Sequence, residues 1–147
     1  MTLQLEGGTA VITGAGSGIG RAMAHRFGAA GMNVVAADIE EPNLRALHEE
    51  LASAGVDNVT ALCDVSNQSD VSSLADVSLE RFRRIDLVCN NAGVGGPNGR
   101  SPHELAVEDY EWVIGVDLWG VVHGVRTFLP ILIEQGHGHM VNTASLA

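Results

Sequence analysis

Apolar runs and amphipathic stretches alternate along this chain of 147 residues. Short runs of continuous apolar character, bounded by glycine, asparagine or aspartate, are typical of strands buried on both faces. Longer stretches in which apolar residues recur every three or four positions are typical of helices that bury one face. The pattern predicts strands over 9–13, 33–38, 59–63, 85–90 and 139–143, and helices over 19–30, 41–54, 68–82 and about 103–134.

This alternation of strands and helices predicts an α/β fold. Strands joined by helical crossovers run parallel, and the helices then cover both faces of the sheet. We therefore expect a Rossmann-type doubly wound parallel sheet, truncated after its fifth strand. The expected domain covers residues 1–147 and is incomplete at its C-terminus, and the sequence contains no internal repeat, linker or low-complexity segment.

A glycine-rich turn follows the first predicted strand and leads into the first predicted helix. Gly14 permits a sharp turn, Gly18 leaves room for a phosphate group, and Gly20 lets the helix pack close to the sheet. The first turn of a helix also presents unpaired N–H groups that attract phosphate. The segment therefore predicts a binding site for a dinucleotide pyrophosphate, to which Ser17 and Ile19 also belong.

An acidic residue, Asp38, ends the second predicted strand about 20 positions further on. Its carboxylate can accept hydrogen bonds from an adenosine ribose, whereas the phosphate of NADP would bring like charge against it. Neither Ser17 nor Ile39 supplies a compensating arginine, so NAD is predicted as the cofactor over NADP. The alternative is that Asp38 caps the helix that begins near Glu41 and Pro42.

Composition narrows the classes of function. The formal net charge of −10 argues against a nucleic-acid partner, which requires a clustered basic face. The N-terminus is polar and lacks a basic start, so we expect neither a secretory signal nor a membrane span. We therefore expect a cytoplasmic location.

The cysteines and the paired histidines are not expected to carry chemistry. Cys63 and Cys89 are expected as buried thiols. His137 and His139 lack a third ligand nearby, so no metal site is expected.

Three segments together resemble the short-chain dehydrogenase/reductase family: the glycine-rich turn, Asn90-Asn91-Ala92-Gly93, and Val141-Asn142-Thr143-Ala144-Ser145. The resemblance spans the whole chain. It implies that Asn90, Ala92 and Gly93 shape the cofactor site, and that Asp64 and Val65 contact the adenine. An aspartate can accept a hydrogen bond from an adenine amino group. The residues alone leave another interpretation open, in which Asn90 and Asn91 bond turn backbone and Asp64 begins a loop.

The resemblance also implies two catalytic positions. Ser145 matches a serine whose hydroxyl stabilises charge on the substrate oxygen, although a serine after a strand is ordinarily a turn residue. Asp117 falls on the family's helical asparagine, and an ionised aspartate cannot donate a hydrogen bond as the amide does. By its neighbours alone, Asp117 could equally be a helix residue that faces solvent.

The family's Tyr-x-x-x-Lys pair would follow Ser145, and the sequence contains neither a lysine nor a tyrosine other than Tyr110. The resemblance implies an NAD(P)-dependent oxidoreductase that interconverts an alcohol and a ketone or aldehyde, and a homodimer or homotetramer when complete. We expect the chain alone to lack the acid and base of that reaction. The alternative is a non-catalytic dinucleotide-binding or interaction protein. The loop 94–100 and Trp119 are the only hints about the substrate.

Overall fold

The structure is a computed structural model that describes residues 5–97 and 100–145. The first residues of the polar N-terminus and part of the loop 94–100 therefore lie outside the described residues. The strands are β1 Thr9–Thr13, β2 Asn33–Asp38, β3 Asn58–Leu62, β4 Leu87–Asn90 and β5 His139–Asn142. The helices are α1 Gly18–Ala29, α2 Glu41–Ser53, α3 Gln68–Phe82, α4 Val107–Ile114 and α5 Gly120–Gln135, with a 3-10 turn at Pro102–Glu104 and a π-helical segment at Gly115–Trp119.

The five strands form one parallel sheet in the order β3-β2-β1-β4-β5. The chain progresses outward from β1 to β3 on one side, and then returns to place β4 and β5 on the other side. This reversal lies between β1 and β4, and ligands of such sheets bind at the carboxyl ends of the strands at that point. The Rossmann-like architecture predicted from the sequence is confirmed.

Two apolar layers cover the sheet. Ile12 and Val34 point to one face, where they pack with Leu47 of α2. Val11 points to the other face, where Phe128 of α5 is fully buried. Because successive side chains in a strand alternate between faces, strands covered on both sides need continuous apolar runs. This is why β1 and β2 could be recognised from their sequence.

The fourth predicted strand is two residues too long at its start, since β4 begins at Leu87 and not at position 85. The backbone of Ile85 pairs with a side chain: its N–H donates to Gln135 Oε1 at 3.1 Å and its carbonyl accepts from Gln135 Nε2 at 2.7 Å. These bonds replace the ladder bonds that strand pairing would supply. A glutamine 50 positions away gives no local signal of this arrangement.

The long helix predicted over about 103–134 is present as a helical stretch from Val107 to Gln135, so it begins about four residues later than predicted. Its predicted start falls in the 3-10 turn, and α4 begins at Val107, where the carboxylate of Asp109 accepts the N–H of Ala106 at 3.0 Å. The π-helical segment lies within this stretch, between α4 and α5. Such single π-helical turns occur inside α-helices, and apolar periodicity does not reveal them.

By length and composition alone, the helical stretch Val107–Gln135 could span a membrane, with a mean hydropathy of 1.4 over its most apolar window. This differs from our expectation that no segment resembles a span. The helix is weak evidence for a membrane protein, because helices that pack on soluble cores pass the same test. Phe128 and Leu132 of this helix are buried against the sheet.

Candidate functional site

A cavity of about 430 Å³ lies beside the carboxyl ends of the parallel strands. Its walls come from the loops that follow β1, β2, β3, β4 and β5, and from α4 and the π-helical segment. All the predicted cofactor residues except Asn90 line it: Gly14, Ser17, Gly18, Ile19, Gly20, Asp38, Asp64, Val65, Ala92 and Gly93. The fold thus brings together residues from four separate segments of the sequence.

The three glycines of the turn differ in what surrounds them. Gly14 has φ +65°, and a Cβ there would lie 2.7 Å from the Cα of Ala92. A Cβ on Gly20 would lie 2.0 Å from the carbonyl oxygen of Gly14, so only glycine lets α1 approach the end of β1. Gly18 has φ +51° and no atom within 4 Å of a Cβ position, because it faces the cavity.

The first turn of α1 borders the cavity. Ser17 occupies the N-cap position, and its side chain makes no capping hydrogen bond. Ser17, Gly18 and Ile19 all line the cavity. The N–H groups at a helix start have no partner within the helix, and they carry a partial positive charge. The cavity therefore meets a group of donors suited to an anion.

Asp38 is fixed by two backbone donors. Its Oδ2 accepts the N–H of Gly16 at 2.8 Å, and its Oδ1 accepts the N–H of Glu40 at 3.1 Å. Glu40 is the residue immediately before α2, so Asp38 bonds the N–H of the residue that precedes the helix and none of the N–H groups of α2 itself. Each carboxylate oxygen can accept further hydrogen bonds, and Asp38 also lines the cavity.

Thr13 and Asn91 join the ends of three strands. The hydroxyl of Thr13 accepts the N–H groups of Asn91 at 3.0 Å and Ala92 at 3.1 Å. The side-chain amide of Asn91 donates to the carbonyl of Thr13, and its oxygen accepts the hydroxyl of Thr143 at 3.1 Å. Asn91 therefore bonds backbone at the end of β1 and also lines the cavity.

Asn90 does not line the cavity. It is buried, and its side-chain nitrogen donates to Asn142 Oδ1 on the neighbouring strand at 2.8 Å. A Cβ on Gly124 would lie 2.0 Å from Asn90 Oδ1, so α5 packs directly on this side chain. In this structure, Asn90 connects β4 to β5 and to α5.

The Asp64–Ser66 loop forms the wall after β3. Asp64 Oδ1 accepts both the N–H of Ser66 at 2.9 Å and its hydroxyl at 2.6 Å, which is the loop-forming role of the alternative interpretation. Val65 is 7% exposed, and its carbonyl oxygen lies 2.9 Å from His123 Nδ1. His123 thus packs against this loop and holds it.

The two predicted catalytic residues lie outside the cavity lining. Asp117 is exposed in the π-helical segment, and its Oδ1 accepts the N–H of Val94 at 2.8 Å. It therefore holds the loop after β4 and does not merely face solvent. Ser145 is exposed beyond the end of β5. The hydroxyl of Tyr110 donates to the carbonyl of Pro102 at 2.7 Å.

Several lining residues were missed by the sequence analysis. Cys63, Ser66 and Val94 directly follow or flank predicted positions, so adjacency to a strand end was the available signal. Trp112 and Val116 come from α4 and the π-helical segment, and no motif marked them. The further residues that line the cavity and were not predicted to bind cofactor are Ile39, Glu40, Asn91 and Thr143.

The thiols of Cys63 and Cys89 are buried, and burial raises the pKa of each. Burial raises the pKa of Cys63 to about 12, with smaller contributions from the Asp70 and Asp64 charges, and burial raises the pKa of Cys89 to about 11. Neither thiol is a nucleophile at neutral pH. Within residues 5–97 and 100–145, no group of three histidine, cysteine, aspartate or glutamate side chains could hold a metal ion.

Residues 8–147 match the family model of the short chain dehydrogenases. The chain belongs to the short-chain dehydrogenase family. Among curated relatives, it is 40% identical to 1-deoxy-11-beta-hydroxypentalenate dehydrogenase of Streptomyces avermitilis, over 99% of this chain and 54% of that protein. It is 39% identical to 3beta-hydroxysteroid dehydrogenase 2 of Eggerthella lenta, over 97% of this chain and 55% of that protein.

Solved structures of short-chain dehydrogenases share the fold. One from Burkholderia phymatum, in complex with NAD, is 44% identical with a TM-score of 0.95, over 99% of this chain and 51% of that one. A metagenomic short-chain oxidoreductase in complex with NADP is 35% identical with a TM-score of 0.90, over 97% of this chain and 64% of that one. The chain spans about half the length of the curated relatives it matches.

Proposed function

We propose that the protein carrying this chain is an NAD-dependent oxidoreductase that interconverts an alcohol and a ketone or aldehyde. The observation that carries the proposal is the cavity at the carboxyl ends of the strands, which joins the start of α1 to Asp38. Membership of the short-chain dehydrogenase family supports hydride transfer as the reaction. The two curated relatives are dehydrogenases, which favours this function over a non-catalytic role.

The residues present fit a dinucleotide. At Gly18, the volume that a Cβ would occupy is empty and opens into the cavity, so a phosphate can approach the backbone. The N–H groups at the start of α1 would hold the pyrophosphate, and Asp38 would hold the adenosine ribose. The Asp64–Ser66 loop, with the apolar side chain of Val65, would hold the adenine.

The negative charge of the side chains around Asp38 supports NAD over NADP as the cofactor. Asp38 borders the cavity with its carboxylate fixed by Gly16 and Glu40, so it cannot turn away without losing two hydrogen bonds. Glu40 and Asp64 also line this region, and no arginine or lysine is among the described lining residues. An additional phosphate would meet like charge with no cation to offset it.

In the proposed reaction, the cofactor and the residues of this chain have different roles. When bound, the nicotinamide ring supplies the hydride acceptor or donor. In this proposal, the Ser145 hydroxyl orients the substrate oxygen and stabilises charge that develops on it. Asp117 positions the loop after β4 through the N–H of Val94, a role that needs only an acceptor.

We propose a small-molecule alcohol or carbonyl compound as the substrate, a cytoplasmic location, a homo-oligomeric protein, and no nucleic-acid or membrane partner. The acidic composition supports the absence of a nucleic-acid partner. The packing of Phe128 and Leu132 onto the sheet supports a core role for the long helix.

Calorimetric titration with NAD and, separately, with NADP tests the function. We expect NAD to bind and NADP to bind at least about tenfold more weakly, since one like-charge contact is worth roughly 1.4 kcal/mol or more. The Gly18→Val variant should lose NAD binding, because its side chain would fill the space against the first turn of α1.

Gly55→Val is the matched control. Gly55 also has a positive φ, +76°, and also has no atom within 4 Å of a Cβ position, but it follows α2 and does not line the cavity. The two variants therefore share the backbone strain of valine at positive φ. Equal loss of NAD binding in both variants, or equal affinity for both cofactors, would contradict the proposal.

A further inference from the structure

Side-chain hydrogen bonds connect α2 to the glycine-rich turn. Arg21, in the first turn of α1, donates from Nη1 to the carbonyl oxygen of Gly16 at 3.2 Å. Its Nη2 donates to Glu50 Oε1 of α2 at 2.5 Å. The second oxygen of Glu50 lies 3.0 Å from His25 Nε2, one turn further along α1. Arg21 thus connects a carboxylate on one helix to a peptide group of the turn.

Gly16 is held from two directions. Its N–H donates to Asp38 at 2.8 Å, while its carbonyl accepts from Arg21. Glycine rotates about φ and ψ with little steric resistance, so the peptides on either side of Gly16 have no conformation imposed by a side chain. A Cβ at this position would lie 2.9 Å from Asp38 Oδ2 and 3.0 Å from Asn43 Cβ. Glycine is needed there, and its freedom is removed by the two hydrogen bonds.

The direction of the Gly16 carbonyl determines the direction of the next N–H. A trans peptide is planar, and its C=O and N–H bonds point in opposite directions. The described residues contain no cis peptide bond. With the carbonyl of Gly16 bonded to Arg21, the N–H of Ser17 points away from Arg21. Ser17 lies on the cavity wall.

We propose that Arg21, anchored by Glu50, is a positioning residue that orients the Gly16–Ser17 peptide so that the Ser17 N–H serves the cofactor. The inference rests on the proposed function, since it names a residue behind the same dinucleotide site. Arg21 does not touch the cofactor in this proposal. It acts through the peptide group, and Asp38 sets the preceding peptide in the same way.

The arrangement depends on the forked shape of the Arg21 guanidinium, which carries two separate nitrogen donors. Arg21 reaches two acceptors with two different nitrogens, in a planar geometry that a lysine ammonium does not reproduce. Burial acts to raise the pKa of Glu50, but the hydrogen bonds from Arg21 and His25 outweigh it and the pKa is lowered. Glu50 is therefore ionised at neutral pH and remains an acceptor.

The test is calorimetric titration of NAD into four single variants of the protein that carries this chain. Arg21→Lys keeps the charge and loses the fork, and we expect its Kd for NAD to rise about tenfold, the effect of one charged hydrogen bond. Glu50→Gln should raise the Kd by about threefold, since Arg21 keeps its bond to Gly16 but its anchor becomes a neutral amide oxygen, which accepts a weaker hydrogen bond than a carboxylate. Arg45→Lys and Glu41→Gln are matched controls, because these residues form an exposed ion pair on α2 at 3.1 Å.

A double variant tests whether the two residues act together. If Glu50 acts through Arg21, then Arg21→Lys with Glu50→Gln should bind NAD no more weakly than Arg21→Lys alone. Melting temperatures measured without NAD separate this role from a structural one. An unchanged Kd in Arg21→Lys, with or without a lower melting temperature, would overturn the inference. Failure of the unmodified protein to bind NAD would overturn the proposed function itself, so the two failures are distinguishable.

Discussion

At the residue scale, the polar side chains around the cavity have structural hydrogen bonds and still face the cavity. Asp64 closes a loop through Ser66, and Asn91 joins the ends of β1 and β5. Asp38 fixes the turn before α1 and the residue before α2. Each was open to two interpretations from the sequence, as a turn former or as a ligand group. The structure makes these interpretations compatible, because a carboxylate or amide oxygen accepts more than one hydrogen bond.

Asp86 is a buried carboxylate that lies just before β4, at the end of the strands opposite the cavity. Its side chain is 4% exposed, and its Oδ2 accepts the N–H of Thr9 and the Nε of Arg84, both at 2.8 Å. Its Oδ1 accepts from Arg84 Nη2 and lies 3.2 Å from His137 Nε2. Burial acts to raise the pKa of Asp86, but the bonds from Arg84 and the Thr9 N–H outweigh it and hold the pKa below its ordinary value.

This lowered pKa gives a pH-dependent contribution to stability. A carboxyl with a lower pKa in the folded state stabilises it above the unfolded pKa of about 3.9, and this stabilisation is lost as the pH falls through the folded pKa. We expect Asp86→Asn to lower the free energy of unfolding at pH 7 by about 1–3 kcal/mol. The difference from the unmodified protein should shrink at about pH 3, as measured by urea unfolding at both values.

Asp57→Asn provides the comparison. Asp57 forms an ion pair with Arg81 in which both side chains are about half exposed. Exposed pairs are worth about 0–1 kcal/mol, so this variant should stay close to the unmodified protein at both pH values. If the effect of Asp86→Asn were the same at pH 7 and pH 3, charge would not be its cause.

At the element scale, the strands were predictable where burial on both faces required continuous apolar residues. β1 and β2 have the predicted bounds, and α3 begins and ends as its periodicity indicated. The glycine-rich turn and Asp38 were also recognisable, because the positions of close backbone approach need particular residue types. The π-helical segment inside the long helix was not predictable, because Gly115–Trp119 keeps a mainly apolar character there.

Contacts between distant segments account for the other differences. Asn90 was expected at the cofactor site, but it is enclosed by Asn142 and by α5 at Gly124. Trp112 of α4 lines the cavity together with residues of the loop after β3. Neither arrangement leaves a local pattern, since each depends on how two elements cross.

The approach of α5 to β4 depends on one glycine. A Cβ on Gly124 would lie 2.0 Å from Asn90 Oδ1, and Asn90 is buried and bonded to β5, so it has no free space to move into. We expect Gly124→Ala to lower the free energy of unfolding by about 2 kcal/mol or more, the effect of overpacking a core. Chemical denaturation measures this change.

Gly115 is the control in the same helical stretch. A Cβ there would lie 3.5 Å from Ser66 Cβ, which is ordinary contact. Alanine is favoured over glycine in helices by up to about 1 kcal/mol, so Gly115→Ala should be neutral or stabilising. Equal destabilisation by both substitutions would indicate a general intolerance of this stretch and contradict the role of the Asn90 contact.

At the scale of the whole molecule, the two ends of the sheet differ in chemistry. The carboxyl ends of the strands open into the cavity, whose walls bring backbone donors at α1 close to the carboxylates of Asp38 and Asp64. The amino ends are closed by the Arg84–Asp86 pair and by Gln135. One end therefore presents an open cavity, and the other holds the starts of the strands together.

The long helical stretch exposes large apolar side chains that the rest of the described chain does not cover. Leu118 is 56% exposed, Trp119 51% and Ile133 70%. Contiguous exposed apolar surface marks interaction sites, and identical copies of a chain most often pair through a shared twofold surface. We therefore predict that the protein self-associates through this stretch. Ile133→Glu should shift sedimentation velocity toward the monomer, whereas Ile39→Glu, a change of the same kind at a 60% exposed position bordering the cavity, should not. A monomer in the unmodified protein, at concentrations up to those used for NAD titration, would show that this surface is not an interface between copies.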